Sequence, residues 1–263
     1  MPPTMQLFDS HCHLDDEQFE GHRDAVMARA RQAGVEAILT VGVTADSSEA
    51  CVQLAGRYDS VFAAVGIQPN HCAAAGEGDW ERIVRLARAP RVVAIGETGL
   101  DRFWDHTPFE IQQEHFDRHL RLAQQRDLPF IVHLRDCEAE VLGMLRAARS
   151  RGPLRGVMHA FTGSAKTAAE CLELGLHISF AGMVTYSKSV ALRSVASALP
   201  PERVLIETDA PYLSPHPHRG VRPNEPSLLV HTAACLARCF RMPVDEFARQ
   251  TADNARALFR LPE

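Results

Sequence analysis

Two histidines one residue apart, His11 and His13, follow the first apolar run of the chain. Side chains two residues apart in an extended segment point to the same side, so both imidazoles face one space. Imidazole nitrogens are common ligands of divalent metal ions. Two hydrogen-bonded histidines at the end of a strand would give the same pattern, so this pair alone is weak evidence for a metal site.

Further along the chain, four other apolar runs end in, or lead directly to, an imidazole or a carboxylate. These groups are Glu97, His133, His159 and Asp209. If the runs are neighbouring strands, their ends surround one opening and gather six polar groups there. Desolvating six such groups together would be costly, and bound divalent cations remove that cost. The sequence therefore predicts a metal centre.

Six ligands exceed the four that one tetrahedral zinc ion needs. They suit two ions roughly 3.5–4 Å apart that share a carboxylate, as in enzymes that hydrolyse phosphoesters and amides. The expected ligands are His11, His13, Glu97 and Asp209 for one ion, and Glu97, His133 and His159 for the other. Glu97 is the expected bridge because its strand lies between the two groups. We expect Glu207 to support a ligand histidine, and the ions to be Mg²⁺, Mn²⁺ or Zn²⁺.

The elements that position these residues are eight short apolar runs, which are typical of buried parallel strands. They lie at Leu7–Asp9, Ala37–Val41, Val61–Val65, Val92–Ile95, Phe130–His133, Gly156–His159, His177–Phe180 and Val204–Ile206. This pattern predicts an α/β fold, a (β/α)₈ TIM barrel that forms a single domain over residues 1–263. An open doubly wound sheet is less favoured because no glycine-rich dinucleotide motif follows the first strand. Active sites of such barrels lie at the C-terminal ends of the strands, where the six ligands fall.

Amphipathic stretches between these runs predict helices at Asp16–Ala33, Pro108–Asp127, Glu138–Arg149, Ala165–Leu174, Ser189–Leu199 and Pro226–Phe240. An extra C-terminal helix is expected at Val244–Phe259. The Pro-rich stretch Ala210–Pro226 is too long for a plain turn, so we expect it to cover part of the opening.

The composition is that of a folded globular protein, with 263 residues, 46% hydrophobic and 23% charged. Lys and Arg number 28 and Asp and Glu 33, which gives a net charge of −5. This balance excludes a surface that is basic throughout and binds polyanions without specificity. One local positive cluster remains, in the loop after the eighth strand: His216, His218, Arg219 and Arg222.

Seven cysteines form no Cys-x-x-Cys pair, which favours buried thiols in a reducing compartment. Residues 1–7 show no basic segment followed by an apolar one, and no run approaches the roughly 18 apolar residues of a membrane span. These features predict a cytoplasmic protein with no membrane association.

Candidate contacts to a substrate are Arg135, Arg222 and Asn224. Arg135 lies two residues beyond His133 and would point into the opening, although a structural salt bridge would explain it equally well. Phe103 and Trp104 could stack a nucleic-acid base or could instead plug the rim of the barrel.

Several motifs occur in an order that covers nearly the whole chain. They are Asp-Ser-His-Cys-His-Leu-Asp at 9–15, Gly-Glu-Thr-Gly-Leu-Asp at 96–101, His-Leu-Arg at 133–135, His-Ala-Phe-Thr-Gly at 159–163, Glu-Thr-Asp-Ala-Pro-Tyr-Leu at 207–213, Arg-Pro-Asn-Glu-Pro at 222–226 and the segment 254–259. With these motifs the chain resembles the TatD family of metal-dependent deoxyribonucleases. The resemblance implies the same barrel, the same two-metal ligand set and Mg²⁺-dependent hydrolysis of DNA, commonly from a 3′ end. The loop Gly66-Ile67-Gln68-Pro69-Asn70 departs from the family's Gly-Ile-His-Pro-His, which puts the choice of substrate in question.

Three functions follow as hypotheses. The first is hydrolysis of phosphodiester bonds, with DNA or another nucleic acid bound transiently at the barrel mouth and with Asp209 and Glu97 as the catalytic carboxylates. Asp209 would orient a water molecule and accept its proton. The second is hydrolysis of a carboxylic ester or amide, such as an aminoacyl ester on RNA. The third, a non-catalytic binding protein, is disfavoured by the complete ligand set. No stable protein partner is implied.

Overall fold

The computed structural model describes residues 5–261, and within them eight parallel strands follow one another in chain order around a single sheet. The strands are β1 Leu7–Cys12, β2 Val35–Val41, β3 Val61–Val65, β4 Val92–Asp101, β5 Phe130–Arg135, β6 Gly156–Met158, β7 Leu176–Phe180 and β8 Val204–Ile206. Every strand pairs in parallel with the next one along the chain, from β1 through β8. This topology is that of the predicted (β/α)₈ barrel.

The sheet closes on itself where the end of β1 meets the segment that follows β8. Cys12 and Ala210 form a parallel bridge there. The backbone N–H of Asp209 donates to the carbonyl of His11 at 2.9 Å, and that of His13 donates to the carbonyl of Ala210 at 2.8 Å. Closure therefore joins two segments that carry predicted metal ligands.

Nine α-helices lie in the described residues and connect or follow the strands. They are α1 Arg23–Gln32, α2 Ala45–Arg57, α3 Asp79–Leu86, α4 Phe109–Arg126, α5 Glu138–Arg151, α6 Ala165–Glu173, α7 Val190–Ser197, α8 Leu229–Phe240 and α9 Val244–Phe259. The extra C-terminal helix is thus confirmed at its predicted bounds. None of these helices combines the length and the apolar character that crossing a membrane requires.

The barrel interior is filled by apolar side chains, and α9 closes one of its ends. Inward residues of the strands form one buried cluster with Ala252, Ala255, Leu258 and Phe259 of α9. The Phe259 ring stacks against that of Phe8, with centroids 6.1 Å apart. This end of the barrel is apolar. The buried polar groups lie at the other end, where the strands terminate.

Five strands are longer than the sequence predicts, and the largest differences lie at the C-terminal ends of β1 and β4. β4 continues to Asp101 instead of ending at Ile95, so Glu97 lies inside the strand rather than just beyond it, and β1 continues to Cys12. Polar side chains hide this extension, because a strand that lines a polar site loses the apolar pattern by which strands are recognised.

The predicted first helix is divided. A short 3₁₀ turn at Glu17–Phe19 precedes α1, and Gly21 between them has φ of +72°. Glycine adopts this left-handed conformation without steric cost, so the chain changes direction there. The apolar spacing runs on across the break and could not reveal it.

Residues 211–225 contain neither helix nor strand and fold back over the segment after β7. The backbone N–H of His216 donates to Oγ1 of Thr185 at 2.7 Å, and the Tyr186 hydroxyl donates to the carbonyl of Ser214 at 3.1 Å. At the start of the loop, the Tyr212 ring lies 6.1 Å from that of His13. The loop therefore borders the polar end of the barrel on this side.

Candidate metal centre

The first ligand group gathers at the end of β1. Nε2 of His11 and Nε2 of His13 are 3.2 Å apart. Oδ1 of Asp209 lies 3.7 Å from the first of these nitrogens and 3.5 Å from the second. Oε2 of Glu97 completes the group at 3.7 and 3.9 Å from the same two atoms.

A second ligand group lies on the other side of Glu97. Its Oε1 is 3.0 Å from Nδ1 of His133 and 3.1 Å from Nε2 of His159. These two nitrogens are 3.4 Å apart.

Glu97 thus directs its two carboxylate oxygens at two separate sets of imidazoles, while its side chain is only 5% exposed. Ligand atoms that surround one tetrahedral ion at 2.0–2.2 Å lie about 3.4 Å from one another. The separations given above for each group are 3.0–3.9 Å, so both groups fit a divalent cation by donor type and by spacing. His11, His13 and Glu97 form one metal-capable group of this structure, and Glu97, His133 and His159 form another.

Two of the four imidazoles are held by a hydrogen bond through their second nitrogen, which leaves the first free to bind a cation. Nδ1 of His13 donates to the carbonyl of Val41 at 2.9 Å. Nε2 of His133 donates to Oδ2 of Asp101 at 2.8 Å. Such partners fix the ring orientation and the tautomer of metal-ligating histidines.

Nδ1 of His159 lies 3.4 Å from Oε1 of Glu207, but it makes no hydrogen bond within the described residues. The carboxylate of Glu207 accepts the backbone N–H of Ala160 at 2.6 Å and the hydroxyl of Ser179 at 2.5 Å. Glu207 also lies within ligand distance of a third grouping with His11 and His159. Its two oxygens already accept these bonds, and support of a ligand histidine by Glu207, as the sequence suggests, stays a prediction.

Burial and the neighbouring carboxylates set the protonation of the site. Burial lowers the pKa of His11 well below its ordinary value. Burial also acts to lower the pKa of His13, but the hydrogen bond and charge of Asp209 and the charge of Glu97 raise it to about 9. A divalent cation would replace such protons, so its binding is expected to release protons and to weaken as the pH falls.

Asp209 takes a backbone conformation that few residues adopt, with φ of +53°. Two buried side chains hold the segment around it. The carboxylate of Asp9 accepts the backbone N–H of Thr208 at 2.9 Å and its hydroxyl at 2.5 Å. The amide of Asn224 donates to the carbonyls of Thr208 and Tyr212 at 2.9 and 2.6 Å.

The candidate substrate residues occupy different environments. Arg135 is exposed, and no carboxylate among residues 5–261 lies within salt-bridge distance of it. Arg222 is exposed in the loop after β8. Asn224 is fully buried, and its amide nitrogen donates to the carbonyls of Thr208 and Tyr212. Contact between these three residues and a substrate stays a prediction, which burial disfavours for Asn224.

Asp9 and Asp101 have roles that sequence reasoning missed. The available signal for Asp101 was its position four residues after Glu97, which places both on one face of a strand. Gly99 lies between them with φ of +131°, and a Cβ at that position would collide with the backbone carbonyl of His133. Gly99 therefore allows β4 to approach the backbone of the ligand residue His133 closely.

The loop after β3, which carries Gln68 and Asn70 where the family has histidines, also contacts Asp101. Oε1 of Gln68 accepts the backbone N–H of Asn70 at 2.8 Å, and Nδ2 of Asn70 donates to Oδ2 of Asp101 at 3.1 Å. Asp101 keeps its charge in this setting: burial acts to raise its pKa, but the hydrogen bonds from His133, Trp104 and Asn70 lower it to about 2.

Replacing Asp101 by alanine is expected to weaken the binding of one metal ion about 10- to 100-fold, the usual effect of losing the partner that orients a ligand histidine. Competition with a fluorescent chelator measures this affinity. The exposed Asp105→Ala in the same loop is the matched control. Equal affinities in the two variants would show that Asp101 does not orient His133.

Comparisons with known proteins agree with this site. The family model of TatD related DNases matches residues 8–260. An uncharacterized metal-dependent hydrolase, YabD of Bacillus subtilis (strain 168), is 39% identical over 255 residues, which are 97% of this chain and 99% of the relative. The 3′-5′ ssDNA/RNA exonuclease TatD of Klebsiella pneumoniae (strain 342) is 36% identical over 257 residues, which are 96% and 97% of the two chains.

Among solved structures, the TatD homologue YjjV of Escherichia coli K12 superimposes with a TM-score of 0.92 at 34% identity and covers 99% of this chain and 100% of its own. The match thus extends over strands, helices and both ligand groups. The chain belongs to the TatD family of metal-dependent hydrolases.

Proposed function

We propose that this hydrolase uses two divalent ions to cleave phosphodiester bonds of nucleic acid, with single-stranded DNA as the main substrate and its 3′ end as the point of attack. The observation that carries the proposal is Glu97, whose two oxygens face two separate groups of metal-capable ligands. The exonuclease activity named for the Klebsiella relative supports the choice of substrate.

Each ligand has a defined part in this proposal. His11, His13, Glu97 and Asp209 would hold one ion, and Glu97, His133 and His159 would hold the other. When bound, two divalent ions (Mg²⁺, Mn²⁺ or Zn²⁺) neutralise phosphate oxygens and lower the pKa of a water molecule. Asp209 orients this water molecule and accepts its proton, because its carboxylate stands at the mouth and is 13% exposed.

Positive side chains at the mouth would attract the substrate despite the net charge of −5. Arg135, at the end of β5, and Arg222, in the loop after β8, are the proposed phosphate contacts. Asn224 holds the segment around Asp209 by donating a hydrogen bond to the carbonyl of Thr208. A single domain over residues 1–263 and a cytoplasmic location stay predictions from the sequence.

The test uses single-stranded DNA labelled at its 5′ end, with each divalent metal added to chelator-treated protein. We expect a ladder of products that shortens from the 3′ end and is absent without metal. Activity should also fall steeply with salt, because phosphate contacts release counterions.

A panel of carboxylic esters and amides, run beside the DNA, separates the competing hypothesis. The same metal centre could hydrolyse those bonds. Cleavage of an ester or amide at high efficiency, with no cleavage of DNA or RNA under any metal, would contradict the proposal.

A further inference from the structure

Two adjacent aromatic side chains, Phe103 and Trp104, are exposed on the loop that follows β4. Phe103 is 52% exposed and Trp104 is 47% exposed. The Trp104 ring is stacked almost parallel to that of His106, with centroids 5.4 Å apart and planes 13° apart. Apolar surface left in water in this way is unfavourable, and contiguous patches of it often mark binding sites.

The loop that carries these rings is held firmly. Oδ1 of Asp101 accepts the backbone N–H groups of Phe103 and Trp104 at 2.8 and 3.0 Å. The amide of Gln112 donates to the carbonyls of Asp101 and Thr107, both at 3.0 Å. The two ends of the loop are therefore tied together, and the rings are presented in a fixed arrangement.

The same carboxylate connects the loop to the metal centre. While Oδ1 of Asp101 holds the loop, its Oδ2 holds the ligand His133. Asp101 is also the partner of Arg135 in the pairing of β4 with β5. The backbone that carries the aromatic rings is thus tied, through Asp101, to a ligand of the second group.

Arg135 adds a cation to this surface. Its guanidinium carbon lies 3.6 Å from the ring centroid of Phe103 and 5.9 Å from that of Trp104. Stacking on a ring leaves the N–H groups at the edge of the guanidinium available. In the part of the chain that the structure describes, no salt bridge of Arg135 uses them.

We propose that Phe103, Trp104, His106 and Arg135, here called the rim platform, bind one nucleotide of a single-stranded nucleic acid next to the cleaved bond. The base would stack on the exposed face of Trp104 or Phe103, and Arg135 would contact the phosphate. This inference rests on the proposed function and specifies how the strand is held. Base stacking on an aromatic face tolerates every base, so the platform should show little sequence preference.

The test exploits the two tryptophans of the chain, Trp80 and Trp104. Trp80→Phe leaves Trp104 as the only tryptophan, and its fluorescence then reports on the platform. The titrant is a short oligothymidylate with a phosphorothioate backbone, which slows hydrolysis, added to full-length metal-loaded protein. A second oligonucleotide of equal length and charge carries abasic sites. We expect saturable quenching with the first and much weaker quenching with the second.

Affinity is measured by the anisotropy of a labelled oligonucleotide in otherwise wild-type protein. Trp104→Ala should weaken binding about 5- to 100-fold, the scale of one stacked base, and Trp104→Phe should keep most of the affinity. Trp80→Phe, on α3 and packed against His119 of α4, is the matched control. Affinity falls as salt rises, and Arg135→Gln should make the slope of log affinity against log salt less negative by about 0.7. Arg249→Gln on α9 should leave this slope unchanged.

Unchanged affinity in Trp104→Ala with an unaltered melting temperature, or equal binding of the abasic oligonucleotide, would overturn the platform. Either result could coexist with metal-dependent cleavage of DNA, so the platform can fail while the proposed function stands. Conversely, quenching by the oligonucleotide without cleavage of DNA or RNA under any metal would support the platform and reject the nuclease.

Discussion

Replacement of Asp209 by asparagine is expected to lower the turnover number about 10²- to 10⁴-fold, the usual contribution of a general base. Asparagine keeps the shape of the side chain and one oxygen that can bind metal, but it removes the charge and the proton acceptor. It also tolerates the left-handed backbone at φ of +53°, which alanine would strain. Steady-state hydrolysis of labelled DNA measures the effect, and binding of the strand should persist.

If Asp209 only holds metal, a different result is expected. Activity of the variant would then return in full when excess metal is added. That result would refute the role as a base and leave the role as a ligand. Near-normal turnover without added metal would remove both roles. The exposed Asp245→Asn on α9 controls for the loss of one negative charge.

The second large effect is expected for Glu97→Ala, which should lose metal from both groups, whereas His13→Ala should lose it mainly from one. The reason is that each oxygen of Glu97 faces a different pair of imidazoles. In Glu97→Ala, His133 and His159 would also lose the carboxylate that they share. Metal content per chain after dialysis, measured by mass spectrometry, compares the variants.

Equal retention of metal by the two variants would argue against bridging. Glu246→Ala, which removes an exposed glutamate of α9, should keep the wild-type content. Thermal unfolding of each variant shows whether a loss of metal reflects a loss of the fold.

Much of the barrel could be predicted from the sequence because buried parallel strands have continuous apolar runs. Val61–Val65 and Val204–Ile206 match the observed strands residue for residue. The end of β4 could not be predicted, since Glu97, Thr98 and Asp101 interrupt the apolar pattern although they continue the strand. Periodicity detects a core-facing surface and cannot detect a strand that faces a polar site.

For the site, the sequence indicated which groups end the strands, and the structure brings those groups together. Their supporting contacts were beyond sequence reasoning, because they join residues far apart in the chain. The bond from His13 to the carbonyl of Val41 is one example, and the bonds from Asp9 to Thr208 are another. Neither depends on a spacing that could be read along one segment.

The most direct test of the two-metal account is anomalous diffraction from crystals of the protein fully loaded with Mn²⁺. The account predicts two anomalous peaks on opposite sides of the Glu97 carboxylate. One should lie beside His11, His13 and Asp209, and the other beside His133 and His159. A single ion in the fully loaded protein, bound by only three or four of the six ligands, would contradict it.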